Sequence, residues 1–354
     1  MSDKKILIIN PQQFGLNTDY VMYARYLGRH FKSVSYLTID QGFPRRDEPG
    51  VRYHYVPRCR VKQLSYALFL IRAIAMAMTF RGTIMTSNFT GCRILKRLLP
   101  WRRMAVNIRT VSVDPDEGRA AARNRRILAD VQPFDRIIMI SDGGAQQLGL
   151  PEAKTNIVSL GADELSTAVK NYDYARCLYI GTLTGRNILQ TVQGFHAYIS
   201  APGSDSRATY DIVGDGEEMA SIRAYVEAHS LAERVRLHGF VAYDKLKPFL
   251  DRCNVGVSYV PVTRGFMYQP PTKTFEYINS GLWCIATATA ANEAVVTAEN
   301  GIIIADTPEA FREALLRFDA VRGSLSDSAI RSSGRPYLWP SIIDSQLIPA
   351  LNSF

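Results

Sequence analysis

The sequence has few of the residue patterns that hold metals, disulfides or nucleic acids. Its 354 residues include five cysteines, Cys59, Cys92, Cys177, Cys253 and Cys284, and no Cys-x-x-Cys pair. An odd, scattered set excludes a disulfide scaffold and a structural zinc site and points to a reducing compartment. The five histidines (His30, His54, His196, His229, His238) lack metal-ligand spacing. There is no short-period repeat and no low-complexity tract. No nucleic-acid motif with interleaved aromatics is present. The start, M-S-D-K-K-I-L-I-I-N, has neither the apolar length nor the cleavage site of a signal peptide. The most apolar run, residues 61–80, is interrupted by Lys62 and Arg72, so its uncharged part is too short to span a bilayer comfortably. It is either a buried helix of a first domain or an interfacial helix.

What is present fits two globular domains. The chain is too long for one ordinary core, and 47% hydrophobic with 21% charged residues are globular values. The net charge of +9 is unevenly placed. Residues 1–170 hold 26 Lys and Arg against 14 Asp and Glu, whereas residues 171–354 hold 16 against 19. A basic first half suits anionic lipid, nucleic acid or a phosphorylated acceptor. Residues 96–103, K-R-L-L-P-W-R-R, mix four cations with Trp101, a combination that suits a lipid headgroup layer or a solvated turn with one packed tryptophan.

The grammar of both halves is strand, helix, strand. K-I-L-I-I-N opens as a buried parallel-type strand, followed by a loop with Gly15, a helix around Tyr20 to His30, and the strand V-S-Y-L-T-I-D. Residues 105–111 and 136–141 are later strands, and Gly161 ends the last of this half. The second half restarts with C-L-Y-I-G-T-L, then a helix from Asn187, the strand Y-D-I-V-G-D-G, a helix from Glu217, and the strands R-V-R-L-H-G-F-V and N-V-G-V-S-Y-V. Such alternation predicts two doubly wound α/β domains.

The segment P-P-T-K-T-F-E-Y-I-N-S-G, residues 270–281, carries the most chemistry. Pro270 and Pro271 forbid an earlier helix, Thr272 or Thr274 can cap the next one, and Gly281 closes it. Lys273 and Glu276 then stand within one turn. A helix N-terminus with a lysine suits a diphosphate, and a carboxylate one turn deeper suits ribose hydroxyls. The plainer alternative is an ordinary capped helix. Three more loops of this half place glycine or polar residues after strands: Gly181-Thr182-Leu183 with Arg186, Gly214-Asp215-Gly216, and Gly239-Phe240-Val241. In a doubly wound sheet these strand ends are where ligands bind.

Residues 135–300 resemble the retaining GT-B glycosyltransferases of family 4, glycosyl transferases group 1. The pieces are I-I-M-I-S-D-G-G-A-Q-Q-L, V-S-L-G-A-D, Y-I-G-T-L-T-G-R, I-V-G-D-G-E-E-M, R-V-R-L-H-G-F-V, the 270–281 segment and E-N-G-I-I-I. Residues 1–130 match as a fold outline. The resemblance implies two Rossmann-like domains facing across a cleft: residues 1–165 for the acceptor, 166–335 for a nucleotide sugar, and a helix at 336–354 crossing back to the first domain, beginning near Trp339 and Pro340. It implies that Glu276 holds the ribose, that Phe240 and Val241 border the base, and that Arg186 and Lys273 face the diphosphate. The backbone of Gly181, Thr182, Gly214, Thr272 and Thr274 lines the donor, and Gly15 approaches the phosphates from the first domain. Fixed cations and a helix N-terminus stabilise a leaving diphosphate, so no metal or other cofactor is required.

Two positions depart from the family pattern. Tyr268 stands where members carry a second glutamate, so sugar contact falls to Arg264, Tyr268 or Gln269. Thr182-Leu183 stands where an Arg-Leu pair is usual, with Arg186 as the substitute. Outside the resemblance, Asp114-Pro115-Asp116 has the form of a metal-binding Asp-x-Asp or of an exposed loop touching acceptor. Arg109 neutralises a phosphate or pairs with Asp114. Asp19 and Asp163 are the nearest carboxylates, neither with a clear role as base. The expectation is a cytoplasmic, peripherally membrane-bound, hexosyl-type glycosyltransferase. It would act without metal, on a nucleotide sugar and a lipid-linked or phosphorylated glycan acceptor, at an anionic membrane surface and without nucleic acid. The alternatives are a GT-B-fold sugar-nucleotide epimerase and a non-catalytic nucleotide-sugar or nucleic-acid binding module.

Overall fold

A computed structural model describes residues 4–114 and 116–353. The chain divides into two compact units: Met1–Leu160 together with Trp339–Phe354, and Gly161–Leu338.

The first unit is built on seven strands: β1 (Lys5–Ile9), β2 (Ser33–Ile39), β3 (Val51–Val56), β4 (Thr83–Ser87), β5 (Met104–Ile108), β6 (Arg136–Met139) and β7 (Thr155–Ile157). Their order is β3-β2-β1-β4-β5-β6-β7, all parallel. Central strands of such a sheet are covered on both faces and must be apolar throughout; Ile6, Leu7, Ile8 and Ile9 are all fully buried. β3 and β4 were not legible as strands. V-R-Y-H-Y-V lies at the sheet edge and is half exposed, and T-I-M-T-S is short with a threonine at either end of its apolar pair.

The second unit holds β8 (Arg176–Ile180), β9 (Thr209–Val213), β10 (Val235–Leu237), β11 (Val255–Ser258), β12 (Trp283–Thr287) and β13 (Gly301–Ile304). Their order is β10-β9-β8-β11-β12-β13, again all parallel. Strand order reverses between β1 and β4 in one unit and between β8 and β11 in the other. Loops diverge at such points and leave a crevice at the strands' carboxyl ends. The expected α/β architecture of two parallel sheets is met in both halves.

The run at 61–80 forms the helix Lys62–Thr79, but of its bulky residues only Phe69 is core. Only Ser65, Phe69, Ala73 and Ala77 are buried on it. Trp101, 66% exposed, is not packed either. The last segment enters the first unit at Trp339, which is fully buried with its ring 5.8 Å from that of Tyr23, edge to face. Helical turns then run from Trp339 to Asn352.

Candidate functional site

In the second unit the helix Thr272–Asn279 follows β11 and leads into β12. Pro271 is its N-cap residue, and no side chain caps it. The expected threonine cap is absent because Thr274 is turned into the core. Its hydroxyl meets Ser258 Oγ at 2.6 Å and Asn292 Oδ1 at 3.0 Å. Thr272, on the first turn, is exposed. At the other end Gly281 adopts φ +77 and donates to the Ile278 carbonyl, closing the helix as the sequence predicts. The helix is seated by Tyr277. Its ring lies flat over Gly256 of β11, where any Cβ would collide with it, and its hydroxyl accepts from Ile180 N at 2.8 Å.

Lys273 and Glu276 project from this helix and are nearly buried, 9% and 7% exposed. The Lys273 ammonium lies 3.8 Å from the centroid of the Tyr179 ring. Burial, reinforced by the nearby Arg186 charge, lowers its pKa from 10.5 to about 7, against the opposing pull of Glu276. Burial raises Glu276 from 4.5 to about 7, opposed by a hydrogen bond from Tyr243 and by Lys273 and assisted by Asp163. The Arg186 guanidinium stacks 4.4 Å from the Phe266 ring centroid. Two cations, one from this helix and one from the loop after β8, are thus held in reach of each other, each against an aromatic ring. A second cation held beside a buried lysine marks a place for an anion.

The glycine loops frame this spot. Lys273 Nζ stands 3.3 Å from where a Cβ on Gly181 would lie. Gly214, at φ +149, packs against the Gly181 carbonyl so closely that a side chain there would overlap it. Thr182 is exposed at the end of β8, and its carbonyl accepts from Tyr179 Oη at 2.6 Å. Phe240, after β10, is 81% exposed, with Val241 half-buried beside it. Tyr268 and Gln269 are half-buried in the loop before the helix, and Arg264 there is exposed. Glu218 has a role the sequence did not reveal. Its carboxylate accepts from the backbone N–H groups of Arg186, Asn187 and Ile188 at 2.9, 2.9 and 2.6 Å. That helix start is therefore already occupied by an anion, and it holds Arg186 in place. Tyr179, Tyr243 and Phe266 were also missed, because each is brought to the site by a different element: strand β8, the turn Tyr243–Lys245 and the loop after β11.

The first unit has its own polar pocket at the ends of β1, β4 and β5, with a volume of about 690 Å³. Asn10 and Ser87 are joined there at 3.1 Å. Asn107 is fully buried, and both of its side-chain polar atoms lack a hydrogen-bond partner among the described residues. It faces the hydroxyls of Tyr20 and Tyr23 without closing a bond of normal geometry to either. Arg109 is paired with Asp19, not with Asp114, and burial lowers its pKa to about 9. Its Nε and Nη1 have no partner among the described residues. Asp114 instead pairs with Arg119 and Arg123. Asp116 caps the helix Glu117–Val131 through Arg119 N at 2.7 Å. Pro115, the middle of that triplet, lies outside the described residues. Gly15, also in this unit, adopts φ +99 beside the Arg46 side chain.

Residues 175–318 match the family described as glycosyl transferases group 1. Among solved structures, a sucrose-phosphate synthase from Thermosynechococcus elongatus superposes with a TM-score of 0.72 at 17% identity, covering 96% of each chain. The lipopolysaccharide outer core galactosyltransferase WaaB gives 0.68 at 14%, covering 99% of each. Anabaena HepE in complex with UDP and glucose gives 0.74 at 12%, covering 99% of this chain and 100% of the other. The chain thus shares the GT-B fold of these structures. No curated protein matches it in sequence.

Proposed function

We propose that the second unit binds a nucleotide-diphosphate sugar and that the chain transfers its sugar, with retained configuration, to an acceptor hydroxyl. The observation that carries this is the meeting of Lys273 and Arg186 beside Gly181, one helical turn from the buried carboxylate of Glu276. Lys273 and Arg186 would face the diphosphate, and Glu276, steadied by Tyr243, would take the ribose hydroxyls. Phe240 and Val241 would border the base, with the backbone of Thr182, Gly214, Thr272 and Thr274 along the phosphates and Tyr268 toward the sugar. Breaking the glycosidic bond places a full charge on the leaving diphosphate, and desolvated cations stabilise that charge more than the ground state. The same charge makes the leaving oxygen a base for the acceptor proton, so front-face displacement needs neither an enzymic nucleophile nor a metal ion.

The neighbours support a uridine nucleotide, since HepE was solved with UDP and with UDP-glucose. WaaB, by its name, acts on lipopolysaccharide, and this supports a lipid-linked or surface-glycan acceptor. We assign the acceptor to the first unit's pocket. There the unpaired Asn107 carboxamide and the free edge of Arg109 would bind hydroxyl or phosphate, with Asp114 at its margin and Gly15 nearby. The protein would then work on the cytoplasmic side, at the membrane surface.

The test is calorimetric titration with a panel of nucleotide sugars, followed by Glu276→Gln. The expected result is one base preferred and a dissociation constant raised roughly tenfold or more by the substitution. An unchanged constant would remove Glu276 from the donor site. NMR of the product's anomeric proton then checks retention. A single C2 or C4 epimer of the donor, formed without acceptor, would identify an epimerase instead.

A further inference from the structure

The helix Lys62–Thr79 is inside out. Its buried row is Ser65, Phe69, Ala73 and Ala77. Leu64, Leu68, Ile71 and Met78 recur at spacings of four, three and seven, so they form one stripe on the opposite side, and all four are exposed. Ile71 is 64% exposed. The helix Cys92–Leu98 packs against it and ends in exposed Leu98, with exposed Trp101 just beyond. Among the described residues, eight of the thirteen large apolar side chains that stand exposed fall between Val61 and Trp101. Scattered exposed leucines need no explanation, but a concentrated set marks a contact surface.

The charge around this face selects its occupant. The sequence has no aspartate or glutamate between Glu48 and Asp114, a stretch that carries twelve lysines and arginines. Arg72 flanks the stripe, and Arg97 and Arg103, both exposed, stand respectively next to Leu98 and two residues past Trp101 in the chain, whereas Arg93 is paired with Asp130. A second copy of the chain would press cations against cations across such a face. Anionic headgroups would meet them, and the acyl boundary would accept the apolar stripe. No helix among the described residues is long and apolar enough to cross a membrane.

We propose that the stripe Leu64, Leu68, Ile71 and Met78, with Leu98 and Trp101, seats the first unit on an anionic bilayer as an in-plane wedge. This deepens the membrane clause of the proposed function, but its test involves neither donor nor turnover. Donor chemistry and membrane seating can therefore fail separately.

The protein supplies its own probe. Of its three tryptophans, Trp283 and Trp339 are buried and Trp101 is exposed. Full-length protein is mixed with phosphatidylcholine vesicles with and without phosphatidylglycerol. Tryptophan emission and co-sedimentation are read at low and high salt. The expected result is a blue shift and sedimentation with the anionic vesicles alone, weakened by salt. The shift should be lost in Trp101→Phe while sedimentation persists. Leu68→Asp with Ile71→Asp should lower vesicle affinity by about tenfold or more, with an unchanged circular dichroism spectrum because both side chains are exposed. Absence of binding at low salt, equal binding to neutral vesicles, or an unaffected double variant would each overturn the proposal. So would a dimer in sedimentation equilibrium that the double variant dissolves, because it would give the face to a second copy.

Discussion

Lys273 and Glu276 are drawn toward the same pH from opposite sides, and this gives the ligand-free protein an unusual stability profile. Glu276 is raised from 4.5 to about 7, so between those values the folded chain keeps a proton that the unfolded chain has released. Stability falls as pH rises through that window. Lys273 is lowered from 10.5 to about 7, so between 7 and 10.5 the folded chain has released a proton that the unfolded chain keeps. Stability rises with pH through that second window. Compared with a Lys273→Met, Glu276→Gln double variant, the wild-type protein should therefore show a dip in unfolding free energy centred near pH 7. The slope on either side should be at most about 1.4 kcal/mol per unit. Denaturant titrations at stepped pH check this. A bound diphosphate favours charged Lys273. Affinity for a nucleotide sugar should thus fall above pH 7, by up to about tenfold per unit, and Lys273→Met should abolish that slope. Calorimetry between pH 6.5 and 9 reads it. The sequence exposed this pair because a double proline and a glycine fence the helix that carries it. It could not show Tyr179 under the ammonium or Phe266 under Arg186, because each ring stands some eighty or more residues along the chain from the cation it meets.

At the scale of elements, the Glu276 helix is fixed at its far end by Arg331. The guanidinium donates to the carbonyls of Asn279 and Ser280 at 3.0 and 2.9 Å, where the helix dipole is negative. It also reaches Ala168 O at 2.9 Å and pairs with Asp327 and Glu164. Arg331→Ala should destabilise the second unit by about 2–4 kcal/mol, because it strips a charged donor from several buried acceptors at once. Arg331→Lys should recover little, since an ammonium cannot reproduce the fork. Urea unfolding followed at Trp283 reports this, and an unchanged midpoint would show that the helix end holds itself. None of this network was legible, because Arg331 lies some fifty residues beyond the carbonyls it binds. The helix at 62–79 was legible as a helix from its apolar content. Which face would be buried was not, because three of the four residues in its inner row are small and several large ones stand on its outer row.

Across the whole molecule, alternating strand and helix revealed both parallel sheets. Each strand of such a sheet is a short apolar run, and each connection a helix. The edge strand β3 escaped because only Val56 of its six residues is buried. The chain passes from the first unit to the second at Leu160 and returns at Trp339, so its last residues complete a core begun at its first. Trp339 fills part of that core against Tyr23. Trp339→Ala should cost the first unit about 3–5 kcal/mol and leave the second unit's melting unchanged. Calorimetric scans that resolve two transitions would separate the outcomes, and a shift in both would show that the two units unfold together.

The most direct measurement of the central claim is a crystal structure of the protein soaked with a nucleotide-diphosphate sugar. The account predicts the ribose hydroxyls within hydrogen-bond distance of the Glu276 carboxylate and the diphosphate within reach of Lys273 Nζ and the Arg186 guanidinium. Nucleotide density seated elsewhere, with Lys273 still over the Tyr179 ring and no phosphate near it, would contradict it.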